Sequence, residues 1–124
     1  MPKIFFKEES YKIIGICMEV HNNLGPGFLE IVYKDALTYE FLKEGIPFER
    51  KKMYEVNYKG TILSHKFYAD FVVYENIILE VKGCSGITDE FVARAINYLK
   101  VSGSKLAFIV NFGELKLSYK RIIL

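Results

Sequence analysis

The sequence predicts an α/β fold in which helices cover both sides of a mixed sheet, and three observations support this. Apolar residues repeat at helical spacing through the first third of the chain. They then change to the short, β-branched and aromatic runs that are typical of strands. A further helical segment separates these runs from a last apolar run. The order helix, helix, three strands, helix, one or two strands is most economically built with helices on either side of one sheet.

The first two helices follow from apolar stripes that repeat every three or four residues. The first helix runs from about Glu9 to Leu24, and its stripe consists of Ile14, Cys17, Met18 and His21. The turn-forming run Asn22 to Gly27 ends it. The second runs from about Phe28 to Glu44, before Gly45 and Pro47. Its stripe comprises Leu29, Val32, Tyr33, Ala36, Leu37 and Phe41.

Three strands are predicted next. Phe48 to Asn57 is rich in Tyr, Val and charged residues, and a turn at Lys59-Gly60 follows it. Thr61 to Tyr74 continues as one long strand. After a short turn near Glu75-Asn76, Ile77 to Lys82 forms a compact strand.

A third helix and one or two strands complete the prediction. Thr88 is a good N-cap for a helix that runs to about Ser102, before Gly103, and that buries Phe91, Val92, Ala95 and Leu99. Leu106 to Asn111 is almost entirely apolar, as expected for a strand in the middle of a covered sheet. Leu115 to Ile123 is predicted as an edge strand.

Length and composition limit the class of protein. The 124 residues suit one domain, residues 1–124, and no apolar run approaches the ~20 residues that span a bilayer. Hydrophobic residues make up 51% and charged residues 26%, which excludes a disordered, collagen-like or mucin-like chain. Met1 to Ser10 lacks the apolar region of a signal peptide, and Cys17 and Cys84 lack zinc or disulfide spacing, so we expect a cytoplasmic protein. The net charge of +2 permits a nucleic-acid partner without requiring one.

The residues best suited to chemistry are Asp70 and, ten positions later, Glu80-Val81-Lys82. Alternate side chains of a strand share a face, so Glu80 and Lys82 point the same way at the end of an apolar strand. Charges beside a core are costly unless they are paired or bind something. Two neighbouring carboxylates would suit a hard cation such as Mg²⁺, which prefers oxygen ligands.

The turn between these two strands decides whether the carboxylates can meet. A two-residue loop at Glu75-Asn76 would place Asp70 opposite Val81, facing away from Glu80. A three-residue loop or a bulge would place Asp70 opposite Glu80. A metal site requires the second arrangement, so we predict an odd-length loop or a bulge.

Two residues at the start of the second helix have two interpretations each. Glu30 is either a favourable charge near the positive end of the helix or a third carboxylate directed at Asp70 and Glu80. Tyr33 lies one turn further on the apolar stripe. Core packing is its favoured role, and its hydroxyl could still touch the site.

These residues carry a resemblance to a known family. The segment Val20 to Tyr33 resembles the signature of the GxxExxY protein family, with Gly27, Glu30 and Tyr33 at the named positions. Four later blocks also resemble that family, including its D…ExK motif: Tyr68–Phe71, Leu79–Lys82, Asn97–Lys100 and Ile109–Gly113. The likeness covers nearly the whole chain in order. The family is placed in the PD-(D/E)XK nuclease-like superfamily, so the resemblance implies a restriction-endonuclease-like αβββαβ core with a mixed central sheet flanked by helices.

The resemblance also implies a nuclease that uses Mg²⁺ or Mn²⁺ to hydrolyse phosphodiester bonds of DNA or RNA. Asp70 and Glu80 would hold the metal, with the Val81 carbonyl as a further ligand. Lys82 would orient the attacking water and stabilise negative charge, and Glu30 would complete the acidic site. The alternative is a catalytically inactive module on the same fold that binds nucleic acid or protein.

One departure from the family pattern concerns Arg94, which stands in the third helix where the family has a Gln. Arg94 could contact a substrate phosphate, or it could pair with the acidic residues and weaken metal binding.

His21 lies on an apolar stripe, where a buried, hydrogen-bonded histidine is favoured over a catalytic or binding one. The charged run Glu49 to Lys52 is favoured as a solvated strand edge, with contact to a phosphate backbone as the alternative. A homodimer is compatible with the sequence but does not follow from it.

Overall fold

A computed structural model describes residues 6–124 of the chain, and the prediction of no signal peptide in residues 1–10 falls partly outside this range. The first half contains α1 (Lys7–Leu24), α2 (Glu30–Glu44), β1 (Phe48–Tyr54), β2 (Asn57–Tyr58) and β3 (Thr61–Ile62). The second half contains β4 (Phe67–Val73), β5 (Ile77–Lys82), α3 (Asp89–Ser102), β6 (Leu106–Asn111) and β7 (Ser118–Ile123). None of the helices in the described range is long and apolar enough to cross a bilayer.

The main sheet has five strands in the order β1-β4-β5-β6-β7. β5 and β6 run parallel, joined through α3, and the other neighbouring pairs are antiparallel. The short strands β2 and β3 form a separate hairpin. The predicted fold class is confirmed: this is a mixed α/β structure with the restriction-endonuclease-like arrangement of helices around a mixed sheet.

Each face of the sheet has its own apolar cluster. The cluster under α1 and α2 includes the fully buried rings of Tyr33, Phe41, Phe71 and Phe112. The cluster under α3 includes Ile78 of β5 and Ile109 of β6. Because β5 and β6 are covered on both faces, their sequences are nearly continuous apolar runs. Glu80 is therefore an exception that requires an explanation.

The prediction of two long strands before β5 was wrong. The chain leaves the main sheet after Tyr54 and returns at Phe67, and the turn at Lys59-Gly60 closes a separate two-residue hairpin. Lys59 and Gly60 have φ angles of 52° and 86°, which fit a tight turn. Both strands of this hairpin are exposed, so no buried face keeps them in the main sheet.

Smaller differences concern element ends and stripes. Met18 and Leu29 were expected on buried stripes, but they are 44% and 76% exposed. Leu29 lies before α2 in extended conformation, because the helix begins at Glu30 rather than Phe28. The last strand begins at Ser118 rather than at Leu115. The cap at Thr88 is confirmed, since its side chain accepts a hydrogen bond from the Phe91 amide.

Candidate active site

The turn between β4 and β5 brings the two predicted metal ligands together. Val73 pairs with Ile77, so the loop contains the three residues 74–76, and the odd-length prediction is confirmed. Its first two residues, Tyr74 and Glu75, adopt left-handed φ angles of 54° and 66°. Continuing the register from Val73 through Phe71, which pairs with Leu79, places Asp70 opposite Glu80.

The carboxylates of Asp70 and Glu80 are bound to the main chain between these two strands. The Asp70 amide donates to Glu80 Oε2 at 2.9 Å, and the Val81 amide donates to Asp70 Oδ2 at 2.8 Å. Side-chain oxygens thus satisfy amides beyond the last paired residues, Phe71 and Leu79. The acidic pair is therefore built into the strand pairing and held close together.

β4 changes its orientation at Asp70. Phe71 packs in the cluster under α1 and α2, whereas Ala69, two residues earlier, packs in the cluster under α3. Residues two apart in a regular strand share a face, so the strand turns over here. The partner strand β1 is irregular at the same level, because Lys51 has a left-handed φ of 60° and does not pair with Asp70. Because of this irregularity, the Asp70 side chain contacts both strand β5 and helix α2.

That helical contact is Lys34 of α2, which sequence reasoning missed. Its Nζ lies 2.9 Å from Asp70 Oδ1, and both side chains are about four-fifths buried. Lys34 follows Glu30 by four residues, so the two share one side of the helix. This spacing is the signal that could have identified Lys34 from the sequence once Glu30 had been singled out.

Glu80 is a buried acid that lacks full compensation. It is 5% exposed, and its pKa is raised from 4.5 to about 8, first by burial and then by the charge of Asp70. The hydrogen bond from the Asp70 amide and the charges of Lys82 and Lys34 oppose this rise only in part. The same two carboxylates, after burial, help to raise the pKa of Tyr98 to about 12. A carboxyl group in this state would be stabilised as a carboxylate by a further cation.

Lys82 is half-buried at the end of β5, near Glu80. Its Nζ lies 4.4 Å from the centre of the Phe91 ring, in the first turn of α3. A cation over an aromatic face is attracted to it electrostatically. Phe91, expected only as a core residue, therefore also holds the ammonium group in place.

Glu30 lies at the same end of β5 but does not join the acidic pair. Its Oε2 accepts a hydrogen bond of 3.3 Å from the Gly83 amide, directly after Lys82. Within residues 6–124, no three His, Cys, Asp or Glu side chains are grouped closely enough to hold a metal ion. The structure therefore brings together two of the three expected carboxylates, and Glu30 positions the turn beside them.

Tyr33 and His21 have structural contacts. The Tyr33 hydroxyl donates to the Gly25 carbonyl at 2.6 Å and accepts from the Phe28 amide at 3.2 Å, so it fixes the loop before α2. His21 Nε2 lies 2.8 Å from the Glu114 carbonyl oxygen, and its imidazole is buried. These contacts agree with the favoured interpretations, core packing for Tyr33 and a hydrogen-bonded buried histidine for His21.

Arg94 does not neutralise the acidic pair. Arg94 is exposed on α3. Among residues 6–124, it forms no ion pair with Asp70 or Glu80. It lines a surface groove with Tyr98 and helps to lower the Tyr98 pKa against the larger opposing effects. The cation that pairs with the site is Lys34 instead.

Asn111, a second residue that the sequence did not single out, fixes the loop after Lys82. Its Oδ1 accepts from the amides of Cys84 and Gly113, and its Nδ2 donates to the Cys84 carbonyl and to Glu114. Asn111 is fully buried at the end of β6. The start of the loop, at Gly83 and Cys84, is thus held by buried polar contacts.

The oxygen donors at this position fit a divalent cation. Glu80 uses only Oε2 in its hydrogen bond, which leaves Oε1 outside these contacts. The Val81 amide points to β4, and in a strand the carbonyl of the same residue points to the same edge. Two carboxylates and one carbonyl, completed by waters, are ligands that Mg²⁺ and Mn²⁺ accept.

Comparison with solved structures finds a protein of similar fold. No curated protein matches the chain. The crystal structure of a protein called SSO0001 is similar in fold, with a TM-score of 0.56 and 18% sequence identity. The match covers 94% of this chain and 59% of SSO0001, so the chain spans about three-fifths of the length of that protein.

A family model supplies the assignment. The model of the PD-(D/E)XK nuclease superfamily matches residues 7–122, which is almost the entire chain and contains every residue of the candidate site. The five-stranded mixed sheet flanked by helices agrees with that match. The chain therefore belongs to the PD-(D/E)XK nuclease superfamily.

Proposed function

We propose that this protein is a nuclease that requires Mg²⁺ or Mn²⁺ and hydrolyses phosphodiester bonds of DNA or RNA. One observation carries the proposal. The Glu80 carboxylate accepts from the Asp70 amide on β4, and the Asp70 carboxylate accepts from the Val81 amide on β5, so the two acids lie side by side. Glu80 is also buried and has a raised pKa. Two buried acids side by side are costly when both are ionised, and a bound divalent cation would offset this cost by neutralising them. We include in the proposal that residues 1–124 form one domain of the GxxExxY type.

Three groups of this chain would hold the ion: the carboxylates of Asp70 and Glu80 and the carbonyl of Val81. A bound divalent ion supplies a water of lowered pKa and neutralises charge on the scissile phosphate. Asp70 is fixed for this role by the Val81 amide, and Glu80 by the Asp70 amide. The ligands are thus pre-oriented by the main chain, which reduces the cost of ordering them on binding.

Lys82 would place positive charge beside the phosphate that is cut. The Phe91 ring holds the ammonium group in place. Unlike a carboxylate partner, the ring does not neutralise the positive charge. The Lys82 side chain therefore keeps its charge available to orient water and to stabilise the negative charge that develops during hydrolysis. Glu30 acts as a positioning residue, because it anchors the Gly83 amide next to Lys82.

A second candidate function is supported by the Lys34–Asp70 ion pair. The ammonium group of Lys34, 2.9 Å from Asp70, partly neutralises the carboxylate that a metal ion would otherwise neutralise. A module that binds nucleic acid without cutting it would not need a metal ion at this position.

Cleavage assays separate the two functions. The purified protein is incubated with plasmid and with single-stranded DNA and RNA, with Mg²⁺, Mn²⁺ or EDTA. The nuclease proposal predicts cleavage that requires the metal and that Glu80→Gln and Lys82→Ala both lose. Glu19→Gln and Lys43→Ala, which change exposed residues elsewhere, serve as controls of equal charge change and should cut normally. An absence of cleavage together with an absence of metal binding by calorimetry would support the binding module.

A further inference from the structure

A pocket of about 410 Å³ opens beside Asp70 on the side of α2 and is lined by Ile31, Lys34, Arg50, Lys51, Tyr68 and Asp70. We call it the cationic pocket. Three of its six residues are cations and one is an acid. It lies next to the acidic pair, although neither Glu80 nor Lys82 lines it. Its charge favours an anion.

The three cations of the pocket are committed to different degrees. Lys34 is paired with Asp70 at 2.9 Å. Arg50 donates to Asp35 at 2.8 Å and to Thr38 at 3.2 Å, and its guanidinium lies over the Phe71 ring. Lys51 is exposed and forms no ion pair with any of residues 6–124. Lys51 is therefore the cation of the pocket whose charge is left for a ligand.

The backbone at Lys51 is the second observation. Its φ of 60° is left-handed, a conformation that is unfavourable for a lysine in a strand. The left-handed residue interrupts the pairing of β1 with β4 at the level of Asp70. A regular strand would avoid this cost. The irregularity places an uncommitted ammonium group at the wall of a pocket that reaches one of the metal-binding carboxylates.

We propose that the cationic pocket binds the backbone phosphate next to the one that is cut, and that Lys51 is its main ligand. This inference rests on the proposed nuclease function and names the residue that holds the substrate. Arg50, held by Asp35 and Thr38, lines the pocket beside Lys51. Tyr68, which is 52% exposed, lines the same pocket. A phosphate contact of this kind positions the chain without reading its sequence.

The test measures binding without cleavage. Labelled single- and double-stranded oligonucleotides are titrated with the wild type and with Lys51→Ala, in EDTA and at low salt, and anisotropy is recorded. Loss of one phosphate contact should weaken binding about threefold to tenfold and reduce the slope of log affinity against log salt by about 0.7 to 1. Lys43→Ala, which removes an equal charge at the far end of α2, should bind as the wild type does.

A second variant excludes misfolding as the cause. Lys51→Gly removes the side chain but suits the left-handed backbone, so it should melt at or above the wild-type temperature while binding as weakly as Lys51→Ala. If both variants bind like the wild type, or no more weakly than Lys43→Ala, the pocket assignment is overturned.

The outcomes also separate this inference from the proposed function. Metal-dependent cleavage by the wild type with unchanged binding and unchanged KM in Lys51→Ala would overturn the pocket and leave the nuclease standing. Binding that depends on Lys51, without any cleavage, would support the pocket and count against the nuclease. A wild type that binds no oligonucleotide at low salt would overturn the pocket.

Discussion

The main-chain amide of Asp70 donates a hydrogen bond to Glu80 Oε2, and one residue further along β5 the Val81 amide donates to Asp70 Oδ2. Each carboxylate therefore replaces a carbonyl oxygen as the acceptor for the neighbouring strand. The arrangement fixes two acids between strands and leaves Glu80 protonated near neutral pH, because its pKa is raised to about 8.

Divalent-metal binding should depend steeply on pH. Glu80 must lose its proton to become a ligand, so affinity should fall about tenfold for each pH unit below about 8 and level off above it. Calorimetry with Mn²⁺ in buffers of different ionisation enthalpy should show release of about one proton per ion below this pKa. Equal affinity one unit below and one unit above pH 8 would contradict the assignment of Glu80 as a ligand.

Without metal, the same acid should make the fold less stable as the pH rises. Folded Glu80 keeps its proton up to about pH 8, whereas an ordinary carboxyl loses it near 4.5. Folding thus takes up a proton between these values, and the stability that Glu80 contributes below pH 4.5 is lost as the pH rises to about 8. Glu80→Gln cannot ionise. Urea titrations in EDTA should therefore show that the unfolding free energy of Glu80→Gln increases relative to that of the wild type between pH 4.5 and about pH 8. A difference that stays constant over this pH range would refute the expectation.

Lys34 should weaken metal binding, since its ammonium group contacts Asp70 Oδ1 and repels another cation. We expect Lys34→Met to raise the affinity for Mn²⁺ by about tenfold, a modest effect for a partly buried unit charge. Lys43→Met, on the same helix but distant from Asp70, provides the matched control. Weaker Mn²⁺ binding in Lys34→Met would instead show that Lys34 supports the site.

Gly113 should contribute strongly to the stability of the fold. A Cβ atom at this position would overlap the carbonyl oxygen and the nitrogen of Cys84, both of which are main-chain atoms held by Asn111. Gly113→Ala is expected to cost about 2–4 kcal/mol of unfolding free energy.

The matched control for this change is Gly15→Ala in the exposed part of α1. Apart from the neighbouring helix backbone, no heavy atom of residues 6–124 lies within 4 Å of the added Cβ. It should stabilise the protein by up to about 1 kcal/mol, because alanine favours a helix. Equal stability of the two variants in urea titrations would show that the loop around Cys84 can move, contrary to the close contact described here.

The sequence was sufficient for the helices and for the two covered strands. The apolar stripes and the cap at Thr88 are local signals, and the bounds of β5 and β6 follow from nearly continuous apolar runs. The break between β1 and β2 was not predictable in the same way. Apolar and polar residues alternate from Tyr54 to Tyr58, across the break. The sequence therefore does not show that the chain leaves the main sheet after Tyr54 and that both residues of β2 are exposed.

For the site, a loop of odd length was predicted from a geometric requirement and is present. The partners of the acids were harder to predict. Lys34 comes from a helix and Lys51 from an irregular strand, and both are brought to Asp70 only by tertiary packing. Asn111 was missed because an amide at the end of an apolar strand gives no sign of the loop that it holds.

The proposed nuclease requires that Asp70 and Glu80 share one divalent ion. The most direct test is a crystal of the protein soaked in Mn²⁺ above pH 8, where Glu80 is ionised, with anomalous data collected for manganese. We expect an anomalous peak within bonding distance of both carboxylates and of the Val81 carbonyl, and no such peak in Glu80→Gln. An empty site at saturating Mn²⁺, with Lys34 still paired to Asp70, would contradict it.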